Sequence, residues 1–151
     1  MSCREATTVA ELEAHFRVRE QVFVKEQQFF EPSDHDAHDA ESTTLHVLAY
    51  CGDEVAGAVR IYPLEEPGLW KGDRLAVLPG FRKMGVGAPL VRFAVSTAGG
   101  LGGRRMVANI QMQNVAFFER LGWYRLGEPW DYVGRPHQEM AIELPMEPKR
   151  H

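Results

Sequence analysis

Apolar residues at helical spacing predict a first helix close to the start of the chain. Thr8 and Glu11 have the spacing of a capping box, in which two side chains bond the backbone amides of the first helical turn. The apolar pattern that follows continues to about residue 24. The residues expected on the buried face are Leu12, Phe16, Arg19 and Phe23.

Two further helices are predicted in the second half of the chain. One begins near Gly85, because Pro89 fits only in the first turn of a helix, and the glycine run 99–103 ends it. The other covers residues 114–121 and is closed by Gly122. The buried face of the longer helix is expected to carry Val86, Leu90, Phe93, Ala94 and Thr97.

Alternating apolar and polar residues predict a β-hairpin with strands at 45–51 and 55–62, joined by a turn at Gly52 and Asp53. The order of elements along the chain predicts one α/β domain over residues 1–151, with a mixed sheet and helices on its faces. Further strands are expected at 72–77, 105–110, 123–126 and 137–144.

The composition narrows the classes of function. The chain of 151 residues has a net charge of −4, which does not suggest a general affinity for nucleic acid. No apolar run approaches the roughly 20 residues that span a bilayer, and the first residues lack the apolar core of a signal peptide. Two cysteines, Cys3 and Cys51, give no disulfide framework. We therefore expect a cytoplasmic protein with free thiols.

A basic turn that contains glycine connects the strand at 72–77 to the longer helix. Backbone N–H groups at a helix N-terminus have no partner inside the helix, and together with the helix dipole they favour a phosphate. Glycines let such a ligand approach the backbone closely. The spacing is neither that of a Walker loop nor that of the dinucleotide-binding turn. The residues of this predicted phosphate cradle are Arg82, Lys83, Met84, Gly85, Val86 and Gly87.

The turn is similar to the Arg/Gln-x-x-Gly-x-Gly/Ala motif of the GNAT family of N-acetyltransferases. The resemblance continues over residues 107–123, where a strand is followed by Asn114, Phe118 and Gly122 at the family's spacing. It implies the GNAT fold: a mixed, mostly antiparallel central sheet with helices on both faces and a splayed central strand pair. It also implies acetyl-CoA as co-substrate, with no metal, and with the pyrophosphate in the turn.

The resemblance further assigns residues to the pantetheine arm of the coenzyme, which in this family lies between the splayed strands. Backbone groups of Leu75, Ala76 and Val77 would pair with the arm, and the Val77 amide would polarise the thioester carbonyl. Asn114 and Phe118 would contact the arm. Arg120 is the candidate for the 3′-phosphate, although a solvated arginine on a helix is the commoner situation.

Phe118 departs from the family pattern. Many GNAT enzymes have a tyrosine at this position, whose hydroxyl protonates the departing thiolate, and phenylalanine has no such proton. Tyr124, Tyr132 or a water could replace it, or the thiolate could leave unassisted. The departure keeps open a protein that binds acyl-CoA without turnover.

Longer motifs resemble the ElaA-like branch of this family over nearly the whole chain. They include Arg-x-x-Val-Phe-x-x-Glu-Gln, which starts at Arg19, and Gly-x-Pro-His-x-x-Met, which starts at Gly134. An amine acceptor must lose a proton near neutral pH, which suits histidine or a desolvated glutamate. The proposed catalytic residues are Glu26, His46 and His137, with Asp39 a further acid–base candidate; Glu26 leads because its neighbours Phe23, Phe29 and Phe30 could desolvate it.

The segment 34–39 contains three aspartates and two histidines. His35 and His38 could ligate a metal, but the stretch matches no established zinc pattern. We expect instead a solvated acidic loop, with Asp36 and Asp39 favouring a cationic acceptor.

The sequence therefore predicts an N-acetyltransferase that transfers an acetyl group from acetyl-CoA to a primary amine of a small molecule or peptide, by direct attack in a ternary complex. Neither nucleic acid nor membrane is an expected partner, and a homodimer is common for the fold. One alternative is an enzyme like the acyl-homoserine-lactone synthases, which share the run Arg19, Phe23, Asp36, Asp39 and Arg60. The other is a non-catalytic acyl-CoA sensor.

Overall fold

A single twisted sheet of seven strands organises the chain in the computed structural model, which describes residues 1–28, 33–132 and 134–144. The strands are β1 Ser2–Glu5, β2 Leu45–Cys51, β3 Glu54–Pro63, β4 Leu69–Val77, β5 Arg105–Gln111, β6 Tyr124–Tyr132 and β7 Arg135–Glu143. Their order is β1-β2-β3-β4-β5-β7-β6, and every neighbouring pair is antiparallel except β4 with β5. The mixed, mostly antiparallel sheet predicted from the sequence is confirmed.

Two strand predictions need correction. β1 was not expected, because its four residues carry a single half-buried side chain, Cys3, and show no apolar alternation. β6 is longer than expected, because the Gly127–Pro129 stretch resembles a turn but forms an irregularity in the strand. The register between β6 and β7 shifts between Leu126 and Trp130, so the strand resumes after this stretch.

The first helix, α1 Val9–Arg19, starts at the predicted capping box, with Thr8 as its N-cap. It continues over Glu20–Glu26 with the wider π-helical winding, and the Gln27 amide bonds the Val22 carbonyl five residues back at 2.9 Å. The predicted buried face is only partly right, because Leu12 and Phe16 are half-buried. The buried stripe consists of Ala14, His15, Val18, Arg19, Val22 and Phe23.

The longer helix, α2 Gly87–Gly100, begins two residues later than predicted. The basic turn before it forms a short 3₁₀ helix over Pro79–Met84, which Gly85 ends in the left-handed conformation, with φ of 69°. The third helix, α3 Val115–Arg120, lies close to the expected position and is followed by Gly122 with φ of 96°.

The helices cover both faces of the sheet. The core around α1 includes Val18, Phe23, Leu48, Ala58 and Ala76. The larger core on the other face includes side chains of α2 and α3, among them Leu90, Ala94 and Phe118. Among the described residues, no helix has the length and the apolar character needed to cross a membrane.

The central strands β4 and β5 splay apart. They pair only through Leu69–Lys71 and Arg105–Val107, after which the rest of β5 pairs with β7 alone. On its other side β4 bulges against β3, where the register shifts between Ala58 and Arg60 and Arg74 has a positive φ of 55°. The splayed pair predicted from the family resemblance is therefore present.

Candidate functional site

A cleft opens between β4 and β5 where these strands diverge. The cleft reaches both faces of the sheet. On the α1 face its lining is partly polar and comes from Phe23, Asp73, Asn109, Gln111, Tyr132 and His137. On the α2 face its lining is apolar and comes from Val91, Ala94, Met106, Ile110, Phe118 and Trp123.

The mouth of the cleft is the open end of the splay, at the C-terminal end of β4, which the basic turn joins to the N-terminus of α2. This helix has no side-chain cap, so the backbone amides of its first turn are available to an anion. At Gly85 an added Cβ would meet no atom within 4 Å, whereas at Gly87 it would lie 3.3 Å from Phe117 Cζ. The turn is therefore open above Gly85, and at Gly87 it packs directly against α3. The turn therefore combines uncapped backbone amides with open space above Gly85.

The backbone of β4 supplies polar groups to the cleft near this mouth. The Leu78 amide donates to the Ala56 carbonyl at 2.9 Å, and Val77 stands opposite Gly57. In an antiparallel ladder this pattern turns the amide and carbonyl of Val77 away from β3, toward the open side of β4. Leu75 lines the cleft, whereas the side chain of Ala76 packs into the core under α1.

Arg82 is fixed from two sides at the mouth. Its Nε donates to the Val77 carbonyl at 2.9 Å, and its two terminal nitrogens donate to the two carboxylate oxygens of Glu26, both at 2.7 Å. The hydrogen bond from Arg82 lowers the pKa of Glu26, whose side chain is 36% exposed. The expected desolvation of Glu26 is therefore wrong, and its ionised, paired carboxylate is a poor base at neutral pH. Phe29 and Phe30 lie outside the described residues.

The end of the π-helical segment makes two more links across the cleft. Gln111 on β5 donates to the side-chain oxygen of Gln27 at 3.1 Å, and Arg135 on β7 donates to the Gln27 carbonyl. Together with the Glu26–Arg82 pair, these contacts connect Glu26 and Gln27 to both sides of the splay. The α1 face of the cleft is thus bridged at its open end.

Buried arginines and aspartates form an ion-pair network behind the α1 face. Arg19 donates to Asp34 at 2.7 Å and to both oxygens of Asp39 at 2.8 and 2.9 Å. Arg60 donates to Asp73 at 2.8 and 2.7 Å and to Asp36 at 2.6 and 3.1 Å. Arg74, at the bulge, binds the Asp34 carbonyl at 2.9 Å.

This network overturns the prediction of a solvated acidic loop. Asp34 is 2% exposed, and Asp36 and Asp39 point at buried guanidinium groups. Burial raises the pKa of Asp39, but hydrogen bonds from His46 and Arg19 outweigh it and hold that pKa well below its usual range. The negative charges of the loop are thus neutralised within the protein, and they give no evidence for a cationic acceptor. Among the described residues no group of three or more metal-binding side chains is found.

The two histidines proposed as bases lie in different places. His46 is 5% exposed, does not line the cleft, and has its Nε2 3.0 Å from Asp39. His137 lines the cleft, and its Nδ1 lies 2.9 Å from the Arg135 carbonyl. Because a carbonyl accepts only from a proton-bearing nitrogen, Nδ1 of His137 carries a hydrogen.

The two tyrosines proposed to replace the missing hydroxyl also lie in different places. Tyr132 lines it, with its ring 5.2 Å from the His137 ring. Tyr124 lies outside the cleft and donates its hydroxyl to Glu143, so it cannot replace the missing hydroxyl of Phe118 there. Phe118 is buried edge-on against Trp123, with ring centroids 5.2 Å apart.

The remaining predicted residues take separate positions. Asn114 lines the cleft, while Arg120 ends α3 with an exposed side chain. Lys83 and Met84 are exposed in the turn, and Val86 is buried. Sequence reasoning did not identify Asp73, Asn109 and Gln111 as lining residues; their alternation with buried neighbours along β4 and β5 was the available signal.

Comparisons with known proteins agree with this geometry. The model of the acetyltransferase (GNAT) family matches residues 8–123. An uncharacterised N-acetyltransferase of Bacillus subtilis, YjcF, is 32% identical over 131 residues, which are 86% of this chain and 91% of YjcF. A putative acetyltransferase of the same bacterium is 28% identical over 93% of this chain and 95% of its own length.

Solved structures share the fold. Escherichia coli ElaA superposes with a TM-score of 0.84 at 24% identity, over 94% of this chain and 99% of ElaA. The CoA-dependent acyl-homoserine lactone synthase BjaI superposes with a TM-score of 0.78 at 20% identity, over 95% of this chain and 82% of BjaI. These matches confirm the resemblance that the turn and the longer motifs indicate.

Proposed function

The chain belongs to the GNAT family of acetyltransferases, and on that premise we propose that it transfers an acetyl group from acetyl-CoA to a primary amine of a small molecule or peptide. One observation carries the proposal. Strands β4 and β5 splay apart toward the C-terminal end of β4, where the basic turn leads into the uncapped N-terminus of α2 and Arg82 binds the Val77 carbonyl. An anionic group at the turn and an extended arm in the cleft would fit this arrangement.

The reaction is a direct acyl transfer in a ternary complex. The amine nitrogen forms a bond to the thioester carbon, the carbon–sulfur bond breaks, and coenzyme A leaves as a thiolate that takes up a proton. The Val77 amide, which faces the open side of β4, would stabilise the negative charge on the carbonyl oxygen. Asn114 and Phe118 would contact the arm, and Arg120 would lie near its 3′-phosphate.

His137 is the base that this geometry favours among the three proposed residues. It lines the polar half of the cleft, and the Arg135 carbonyl orients its ring through Nδ1. Glu26 is committed to Arg82 and His46 to Asp39. Tyr132, beside His137, is the candidate to protonate the thiolate.

Thermal unfolding with coenzyme A and acetyl-CoA tests the coenzyme site. A ligand at 100 times its Kd should raise the Tm by roughly 5–10 °C for a chain of this size. Gly85→Glu should abolish the shift, because it puts a carboxylate where the pyrophosphate would bind. Gly52→Glu is a matched control: Gly52 also has a positive φ, 62°, with open space around it, but lies in the β2–β3 hairpin.

Arg82→Ala should weaken the shift without removing it. A folded wild-type protein whose Tm does not respond to either ligand would contradict the proposal. An equal loss of the shift in Gly52→Glu and Gly85→Glu would also contradict it, because both glycines would then act through stability alone.

An acyl-homoserine-lactone synthase activity is the second candidate. It is favoured by the network itself, which brings Arg19, Asp36, Asp39 and Arg60 together, and by the fold shared with BjaI. Activity with S-adenosylmethionine and an acyl carrier protein, but not with acetyl-CoA and amines, would establish it. Ligand-induced stabilisation without thiol release over a broad amine panel would instead indicate a non-catalytic sensor, which Phe118 favours.

A further inference from the structure

The α2 face of the cleft has an apolar wall that an acetyl group alone does not require. We call this wall the floor; it consists of Val91, Ala94, Met106, Phe118 and Trp123. Each of these side chains is at most 5% exposed, yet each lines the same cavity as the solvent-facing polar residues of the α1 face. The floor is therefore a mostly apolar part of the cleft, and it is continuous with the open half.

The direction of the cleft determines which part of a ligand would reach the floor. An arm that enters at the turn lies near Val77 and runs back along β4 toward Gly72, about 16 Å away at 3.3 Å per residue. The strands meet again at Lys71 and Val107. The group attached to the far end of the arm is thus the part that points at the floor.

Gly72 contributes to this space. A Cβ at Gly72 would lie 3.2 Å from Met106 Sδ and 3.7 Å from Ile61 Cγ2. Any larger residue would push into the closed end of the cleft, where Met106 forms part of the floor. The glycine therefore keeps this end of the cleft free of a side chain.

The chemistry of the floor selects an aliphatic occupant. The amides of a pantetheine arm need hydrogen-bond partners, and the floor side chains offer one N–H, the indole Nε1 of Trp123. Each methylene that leaves water for such a surface is stabilised by about 0.8 kcal/mol, which is about fourfold in affinity. An acyl chain gains this stabilisation, and an acetyl group has no methylene to bury.

We propose that the floor binds the acyl chain of the donor, so that the preferred donor is a saturated acyl-CoA longer than acetyl-CoA. This inference rests on the proposed acyl-CoA site and specifies its acyl group. The reaction remains the same: the amine nitrogen bonds to the thioester carbon, the carbon–sulfur bond breaks, and the amine proton passes to the base. Ala94 and Val91 then determine the chain length.

Calorimetric titration with coenzyme A, acetyl-CoA, butanoyl-CoA and hexanoyl-CoA tests the proposal without knowledge of the acceptor. Affinity should rise about fourfold for each added methylene until the floor is filled. Ala94→Leu should remove the rise while acetyl-CoA still binds, and Val91→Ala should extend it to longer chains.

Ala98→Leu is the matched control for the filling variant. Ala98 lies four residues further along the same helix and is fully buried, but it does not line the cleft. The Ala98→Leu variant should lose a similar amount of Tm through overpacking. Its affinity for acyl-CoA should depend on chain length as in the wild type. Val91→Ala keeps the test decisive if Ala94→Leu does not fold.

Three outcomes would overturn the proposal in distinguishable ways. If acetyl-CoA binds and each longer chain binds more weakly, the floor does not hold an acyl chain, and the proposed acetyltransferase stands. If neither coenzyme A nor any of its esters binds, the coenzyme site itself is wrong. A rise with chain length that Ala94→Leu leaves intact would place the chain elsewhere and would also overturn the proposal.

Discussion

Glu26 holds Arg82 in a two-pronged ion pair, with both nitrogen–oxygen distances at 2.7 Å, across the mouth of the cleft. Arg82 is also the basic side chain of the turn proposed to bind the pyrophosphate. The same guanidinium is therefore paired with Glu26 in the free protein and would contact the pyrophosphate in the complex. Because the side chains of Arg82 and Glu26 are 42% and 36% exposed, their ion pair is weak enough to be replaced by a contact with the ligand.

Glu26→Gln should tighten the binding of coenzyme A by up to about fivefold, because an ion pair of this kind is worth about 0–1 kcal/mol. Calorimetric titration measures the change. Glu20→Gln removes the same charge from an exposed position earlier in the π-helical segment, so it isolates the general electrostatic effect. Equal affinities in the two variants would show that the Glu26–Arg82 contact does not compete with the ligand.

His137→Gln should lower kcat by about a hundredfold or more and leave the binding of acetyl-CoA nearly unchanged, if His137 removes the proton of the amine. The assay follows thiol release with an amine that the wild-type protein accepts, across a pH series. His38→Gln is the control, because the half-buried His38 stacks on Tyr62, with ring centroids 3.9 Å apart, away from the cleft. An unchanged kcat and pH profile in His137→Gln would remove His137 from the mechanism.

Arg60→Met should reduce the free energy of unfolding by about 3–5 kcal/mol, because it removes a fully buried guanidinium that pairs with Asp36, Asp39 and Asp73 and leaves Asp73 only a 3.6 Å ion pair with Arg74. Urea denaturation at pH 7 measures the loss. The comparison variant is Arg125→Met, which removes one exposed ion pair with Glu119 and should have little effect. Similar losses of unfolding free energy in both variants would mean that burial does not increase the contribution of the Arg60 ion pairs to stability.

Local interactions explain what the sequence could predict. The capping box at Thr8, the hairpin turn at Gly52 and the alternation of Leu45, Val47 and Ala49 each depend on residues a few positions apart. The coenzyme turn is equally local, so its position between β4 and α2 could be read directly. The 3₁₀ winding of this turn and the later start of α2 could not be predicted, because both depend on how one short turn accommodates Pro79 and Gly85.

The errors concern charges that meet over long distances. Glu26 and Arg82 are 56 residues apart, and Asp36 and Arg60 are 24 apart. Seen locally, Glu26 looks desolvated and the aspartate loop looks solvated. The fold reverses both, because it exposes Glu26 beside an arginine and turns the loop inward onto three buried ones. Polar residues with distant partners carry no periodic signal that a single sequence could reveal.

His15 gives the protein a buried histidine that cannot easily take up a proton. Its Nε2 donates to the Val59 carbonyl at 2.9 Å, opposite the β4 bulge, and its Nδ1 has no hydrogen-bond partner among the described residues. Burial lowers the pKa of His15 from 6.5 to about 3. The unfolded chain therefore binds a proton below pH 6.5 that the folded protein does not bind until about pH 3.

This linkage predicts a loss of stability on acidification. Because the unfolded state holds more protons, His15 should cost about 2 kcal/mol of unfolding free energy between pH 7 and pH 5. His15→Gln keeps a donor for the Val59 carbonyl and does not titrate, so its urea denaturation should show a pH dependence that is flatter by this amount. His38→Gln, at a half-buried position, should retain the wild-type slope. If wild type and His15→Gln lose stability equally between these pH values, His15 takes up a proton in the folded protein, and its burial does not keep the ring neutral.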